Sequence, residues 1–235
     1  MWTPLWTQAD AVGKAVFLLL IALSVLSWSI MLMKAMQWRS LLAAARRVHQ
    51  HFWEATDVEL GLEALGDGAE PYRAALNAQR QALAHHRAHP QHLHIQLTAQ
   101  DWLAAAAKLA VDETTRRLQG GLTLLASIAS TAPFIGLFGT VWGIHRALLA
   151  IQASGQASLA FVAGPIGETL VMTALGLAVA VPATLGYNLL ARAMRDEAAA
   201  VARFAQATRP LLLTGGQPRA FTPRAVRAMD KGVAA

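Results

Sequence analysis

Hydrophobic positions along this chain gather into three long uncharged runs instead of alternating with polar ones. The first, AVFLLLIALSVLSWSIMLM, covers 15–33 between Lys14 and Lys34. The second, LQGGLTLLASIASTAPFIGLFGTVWGI, covers 118–144 between Arg117 and His145-Arg146. The third is uncharged from Thr169 to Ala191, ends at Arg192, and predicts a span over 166–191. A bilayer core of about 30 Å needs about 20 apolar residues in a helix, so each run predicts a transmembrane helix. The first is longer than the h-region of about 7–15 residues in a signal peptide, and no small-residue cleavage site follows Met33, so it is expected to be retained.

The intervening segment, 34–117, shows no strand alternation and is rich in Ala, Leu and Gln, which predicts helices. GDGAEP at 66–71 predicts a turn within it. Residues 99–117 contain neither Pro nor Gly and abut the second run, so one helix is expected to continue from span to segment. Residues 192–209 are expected to extend the third helix until Pro210 stops it, and the Gly-, Pro- and Arg-rich tail after Thr214 to be loose.

Charge adds an orientation. Lys34, Arg39, Arg46, Arg47, Arg116, Arg117, Arg192, Arg195, Arg203 and Arg209 flank the spans on one side, against Lys14 and Arg146 on the other. Basic residues remain cytoplasmic. The expected order is therefore an outer N-terminus (1–14), a cytoplasmic segment (34–117), an outer connection (145–165) and a cytoplasmic extension and tail (192–235). Trp2, Trp6 and Trp142 then fall near the outer interface and Trp38 near the inner one.

Composition agrees with a membrane protein: 55% of residues are apolar and 14% charged, against about 25% charged in soluble domains. The chain has no cysteine, hence no disulfide, thiolate nucleophile or Cys-based metal site. It carries no G-x-x-x-x-G-K-[ST] loop, and the GDG at 66–68 lacks the third glycine of a dinucleotide fingerprint, so nucleotide chemistry and enzyme function are not expected. His85, His86, His89, His92 and His94 include one helical i, i+4 pair, but Pro90 and the lack of a nearby carboxylate favour a solvated polar stretch over a metal site. The basic tail lacks the aromatic pattern of nucleic-acid binding and fits anionic lipid contact.

The last two spans carry candidate chemistry. Gly136, Thr140 and Gly143 share one side of a helix, and Gly139 with Gly143 forms a small-xxx-small pair that lets backbones approach. Thr169, Thr173, Gly176, Ala180, Thr184 and Tyr187 fall within about 60° of one line. This stripe suits either helix packing or the lining of a shared interior. Glu168 is the one acid between Glu113 and Asp196. A carboxylate at the bilayer centre costs about 2.5–3.5 kcal/mol on insertion scales. Glu168 is therefore either functional or a cap at the third helix's N-terminus.

APFIGLFGTVWGI (132–144) followed by GPIGETLVMTALGLAVAVPA (164–183) resembles the MotA/TolQ/ExbB family of proton-channel proteins. WTQADAVGKAVFLLL (6–20) looks most like its ExbB branch, and HFWEATDVEL (51–60) is similar to TolQ. The resemblance covers the three spans, about half the chain. It implies a homopentamer whose second and third spans line a pore. It implies an ExbD-like single-span partner there with a proton-binding Asp, and coupling to a TonB-like protein, in the inner membrane of a Gram-negative bacterium. By motif, Thr140 is the Thr of GLFGT, and Glu168 and Thr173 are the pair of E-x-x-x-x-T. Thr169 stands where Ala is expected. Five copies of Glu168 would form a ring able to trade protons with the partner Asp, with the Thr140 and Thr173 hydroxyls relaying. A solute transporter, which would show inverted repeats and broken helices, and a passive scaffold, which needs no acid, are the competing readings.

Overall fold

The computed structural model describes residues 10–66, 68–88, 98–154 and 159–216, apart from the side chains of residues 154, 159–163, 165 and 168. Every regular element among them is helical: α1 Ala11–Arg47, a π-helical segment Val48–Phe52, α2 Val58–Ala64, α3 Glu70–Ala88, α4 Ala99–Gln119, α5 Leu122–Ser154 and α6 Leu159–Thr214. Among the described residues, three helical stretches are long and apolar enough to cross a membrane. The chain divides into two compact units, one of Met1–Lys34 with Gly121–Ala191, the other of Ala35–Gly120 with Arg192–Ala235.

In the first unit, α5 and α6 run antiparallel: Gly136 lies against Gly176, and Gly143 against Thr169. The first part of α1 packs on both, with Val16 at Gly139, Ile30 at Gly121 and Met31 at Gly186. Asp10 caps α1, its Oδ1 accepting from the Gly13 N–H at 2.9 Å, which satisfies one of the orphan donors of the first turn. All the large exposed hydrophobics except Met36, Leu60 and Leu109 belong to this unit, Phe134 at 69% exposure the most open. A unit that turns its apolar side chains outward needs an apolar solvent, and the chain is a multi-pass membrane protein.

The second unit has an inward core. The π-helical segment buries Val48 and Phe52. Phe204 stands edge-on to Phe52 at 4.9 Å and to Tyr72 at 5.3 Å, with Trp53 edge-on to Phe52 at 5.1 Å. Helix α3 turns Tyr72, Ala75, Leu76, Gln79 and Leu83 inward, the i, i+3, i+4 spacing of an amphipathic helix. The Gln79 amide donates to the Ala205 carbonyl at 2.9 Å, so its burial is compensated. Thr98 caps α4 by accepting from the Asp101 N–H at 3.2 Å.

Two expectations change. Residues 99–117 do not join the second span as one helix: α4 ends at Gln119, and α5 restarts at Leu122 after Gly120 and Gly121, the latter at φ 82°. A positive φ is open to glycine at little steric cost, and the glycine pair ends one helix where the uncharged run begins. Pro210 does not stop the last helix, which continues to Thr214 and ends at Gly215 with φ 65°. Proline's fixed φ is compatible with a helix; the carbonyl it leaves unbonded is on exposed Gln206, and buried Leu211 anchors the final turn. The connection expected over 145–165 is helical at 145–154 and from 159 onward. His89, His92 and His94 and the tail beyond 216 lie outside the described residues; His85 and His86 sit in the last turn of α3.

Candidate functional site

The site is built on missing side chains. A Cβ at Gly136 would stand 2.6 Å from the Met172 carbonyl oxygen and 3.0 Å from the Gly176 Cα. One at Gly176 would stand 2.7 Å from the Ala132 carbonyl oxygen. With hydrogens in those places, α5 and α6 approach backbone to backbone, as small residues permit in lipid.

That approach brings two hydroxyls together. Thr140, only 6% exposed, has its Oγ1 3.1 Å from the Gly136 carbonyl, 3.0 Å from the Thr169 carbonyl and 2.5 Å from the Thr173 Oγ1. A hydroxyl has one proton and two acceptor sites. When Thr140 donates to a carbonyl, Thr173 donates to Thr140; when Thr140 donates to Thr173, the Thr173 O–H is turned away from the pair. The pair therefore has two proton arrangements at fixed heavy-atom positions, which is what a relay requires.

Glu168 lies on α6 immediately before Thr169, and its side chain is outside the described residues. The helix begins at Leu159, well before it, so the backbone position removes the reading of Glu168 as an N-terminal cap. Thr169 uses its hydroxyl on the Ile166 carbonyl at 2.8 Å, and its methyl fills the notch left by Gly143. Thus Thr140, Thr169, Thr173, Gly136, Gly139, Gly143 and Gly176 form one contact surface inside the chain. Gly139 faces Val16 and Met172 of the same chain. Ala180 is buried further along α6, whereas Thr184 is exposed, with its hydroxyl on the Ala180 carbonyl at 2.8 Å. Thr184 is not brought to the hydroxyl pair.

A second polar cluster escaped sequence reasoning. The Asp10 Oδ2 accepts from the Trp142 indole N–H at 2.9 Å and pairs with Arg146 at 2.9 Å. The Trp142 hydrogen bond comes first among the causes that hold the Asp10 carboxyl at about 2, ahead of the Gly13 N–H and Arg146; partial burial opposes them. The available signal was an acid just before the first span and the Trp142/Arg146 pair at i, i+4, read instead as an interfacial aromatic and a flanking charge. Glu197, a buried acid on α6, also escaped notice because it sits in the charged stretch RDE.

Residues 72–203 match the family described as the MotA/TolQ/ExbB proton channel family. The chain belongs to that family. Among its members, "Biopolymer transport protein ExbB" of Xanthomonas campestris pv. campestris (strain B100) is 37% identical over 214 residues, covering 89% of this chain and 85% of that protein. The ExbB of Neisseria meningitidis serogroup A is 37% identical over 186 residues, covering 79% and 84%. "Tol-Pal system protein TolQ" of Haemophilus influenzae is 33% identical over 193 residues, covering 79% and 82%. The family's matched region contains the α5–α6 contact and the whole hydroxyl pair.

Proposed function

We propose that the chain is the proton-channel and stator subunit of an inner-membrane motor that uses the proton motive force to energise TonB-dependent uptake across the outer membrane. The observation that carries this reading is the Thr140–Thr173 hydroxyl pair, which joins α5 to the helix that bears Glu168, within a chain that matches ExbB proteins over most of its length. Glu168 takes up a proton from the periplasmic side and the hydroxyl pair passes it on. A homopentamer supplies five such sites around a pore, occupied by an ExbD-like single-span partner whose Asp exchanges the proton. A TonB-like protein receives the resulting movement. The distribution of Lys and Arg supports a periplasmic N-terminus and a cytoplasmic C-terminus. One charge crossing about 100 mV releases about 2.3 kcal/mol, so a few protons suffice to drive partner movement without nucleotide.

The test is proton flux into proteoliposomes holding this chain and its partner. Glu168→Gln is expected to abolish flux while leaving the purified complex intact; undiminished flux would refute the relay. The similarity to TolQ supports a second reading, in which the same proton chemistry energises the Tol-Pal envelope system. Expression in strains lacking one system or the other separates them: restored siderophore uptake supports the first, restored envelope integrity the second.

A further inference from the structure

Helix α6 carries a buried carboxyl, outside the membrane spans, that the proposed relay does not use. Glu197 is 6% exposed, and its Oε2 is shielded from solvent with no hydrogen-bond partner. The side chain lies on the face that also buries Ala193, Met194, Ala198, Val201, Phe204 and Ala205. Ionised, the carboxylate would leave Oε2 with neither water nor a donor, a costly state for a charged group at the edge of a core.

The titratable and charged groups that bear on it, among the described residues, are few. From its own helix come exposed Asp196 and exposed Arg203; from α3 comes buried Tyr72. Burial raises the Glu197 carboxyl above its ordinary range, the Asp196 charge adds to the rise, and Arg203 opposes both. The Tyr72 phenol is pushed up to about 12, by burial first and then by the Glu197 charge. Tyr72 thus keeps its proton, and Arg203, the cation that acts on Glu197, is exposed to solvent on the same helix.

We propose that Glu197 is a proton-binding site that makes the packing of α3 on α6 respond to pH: protonated, the carboxyl is accepted by the core; ionised, it loosens that contact. The sign follows from linkage. A carboxyl whose folded pKa is raised stabilises the packed state fully below its ordinary pKa of 4.5, and that stability is lost as pH rises through the folded value. Proton arrival therefore tightens the bundle and proton depletion relaxes it. The inference concerns this core alone and stands whichever envelope system the chain serves.

Hydrogen exchange of the full chain in nanodiscs tests it, read on residues 70–88 from about pH 5 to about pH 8 and corrected for intrinsic exchange chemistry. In the native chain, protection of this helix is expected to fall as pH rises. In Glu197→Gln it is expected to stay level, at or above the native value at the alkaline end. Native protection that does not change with pH would overturn the proposal, as would a fall that persists unchanged in Glu197→Gln. A Glu197→Gln chain that fails to fold would overturn it too, because the neutral side chain is the one this packing should accept.

Discussion

The two units solve the packing problem by opposite means. In the membrane unit, helices meet where side chains are absent: Gly136 and Gly176 put backbone against backbone, and the larger hydrophobics turn outward. In the second unit, helices meet where side chains are large: Phe52, Trp53, Tyr72 and Phe204 fill the space between them. The difference follows from the solvent. Water drives apolar area inward, whereas lipid does not distinguish an inward leucine from an outward one, which leaves close packing and hydrogen bonds to hold helices together. Polar groups divide the same way. Thr140 and Thr173 satisfy each other in a contact too narrow for a larger side chain, while Gln79 reaches a backbone carbonyl across a filled core.

If this contrast holds, adding volume should be most damaging in the first unit and removing it most damaging in the second. The largest effect is expected from Gly176→Leu. The new Cβ alone would stand 2.7 Å from a backbone oxygen and 3.1 Å from the Gly136 Cα, so the helix pair must separate and folded protein should be lost from detergent extracts, measured by size-exclusion yield. Phe204→Ala comes next, at about 3–5 kcal/mol for an emptied aromatic site. Its signature is faster exchange in residues 70–88, with the Thr140–Thr173 contact unaffected. An equal loss from both variants in both units would dissolve the comparison.

Smaller effects sharpen it. Gln79→Ala removes one of two side-chain donors to the Ala205 carbonyl, the Thr208 hydroxyl at 3.1 Å being the other, and should cost about 0.5–1.5 kcal/mol, read as a lowered thermal midpoint. Thr173→Val keeps the volume and removes only a hydroxyl. It should reduce proton flux severalfold with little change in melting, whereas Thr184→Val, whose hydroxyl is bonded within its own helix, should change neither; matched losses would mean the hydroxyls serve packing alone. Asp10→Asn should have the smallest effect. Its carboxyl is depressed to about 2 from 3.8, so its stabilisation is present above 3.8 and disappears as pH falls through about 2. The variant should melt slightly earlier than native at neutral pH and converge with it under strong acid.

How much of this was legible in the sequence depends on solvent as well. The spans were readable because an uncharged run of that length has one common explanation, and the glycines and threonines of α5 and α6 fell on helical faces that flagged a close contact. That Thr140 and Thr173 bond to each other across helices was not readable from either helix alone, since it depends on the register of two antiparallel segments. The break between α4 and α5 was hidden because Gly120 and Gly121 resemble the other small residues of the span; only the positive φ of Gly121 separates a joint from a contact. The aromatic core of the second unit left almost no pattern, because Phe52, Tyr72 and Phe204 come from three elements far apart in sequence. Glu197 was masked by charged neighbours that point outward while it points in.

The notch at Gly143 has a consequence for inheritance. The methyl of Thr169 occupies the place where a Cβ at Gly143 would sit, so Gly143 cannot gain a side chain while Thr169 stands. Gly143→Ala should fail in a background that keeps Thr169 and recover when Thr169→Ala arrives with it. A suppressor screen begun from Gly143→Ala would therefore be expected to return to residue 169, twenty-six positions along the chain, so that in a lineage a change at 169 should precede any side chain at 143.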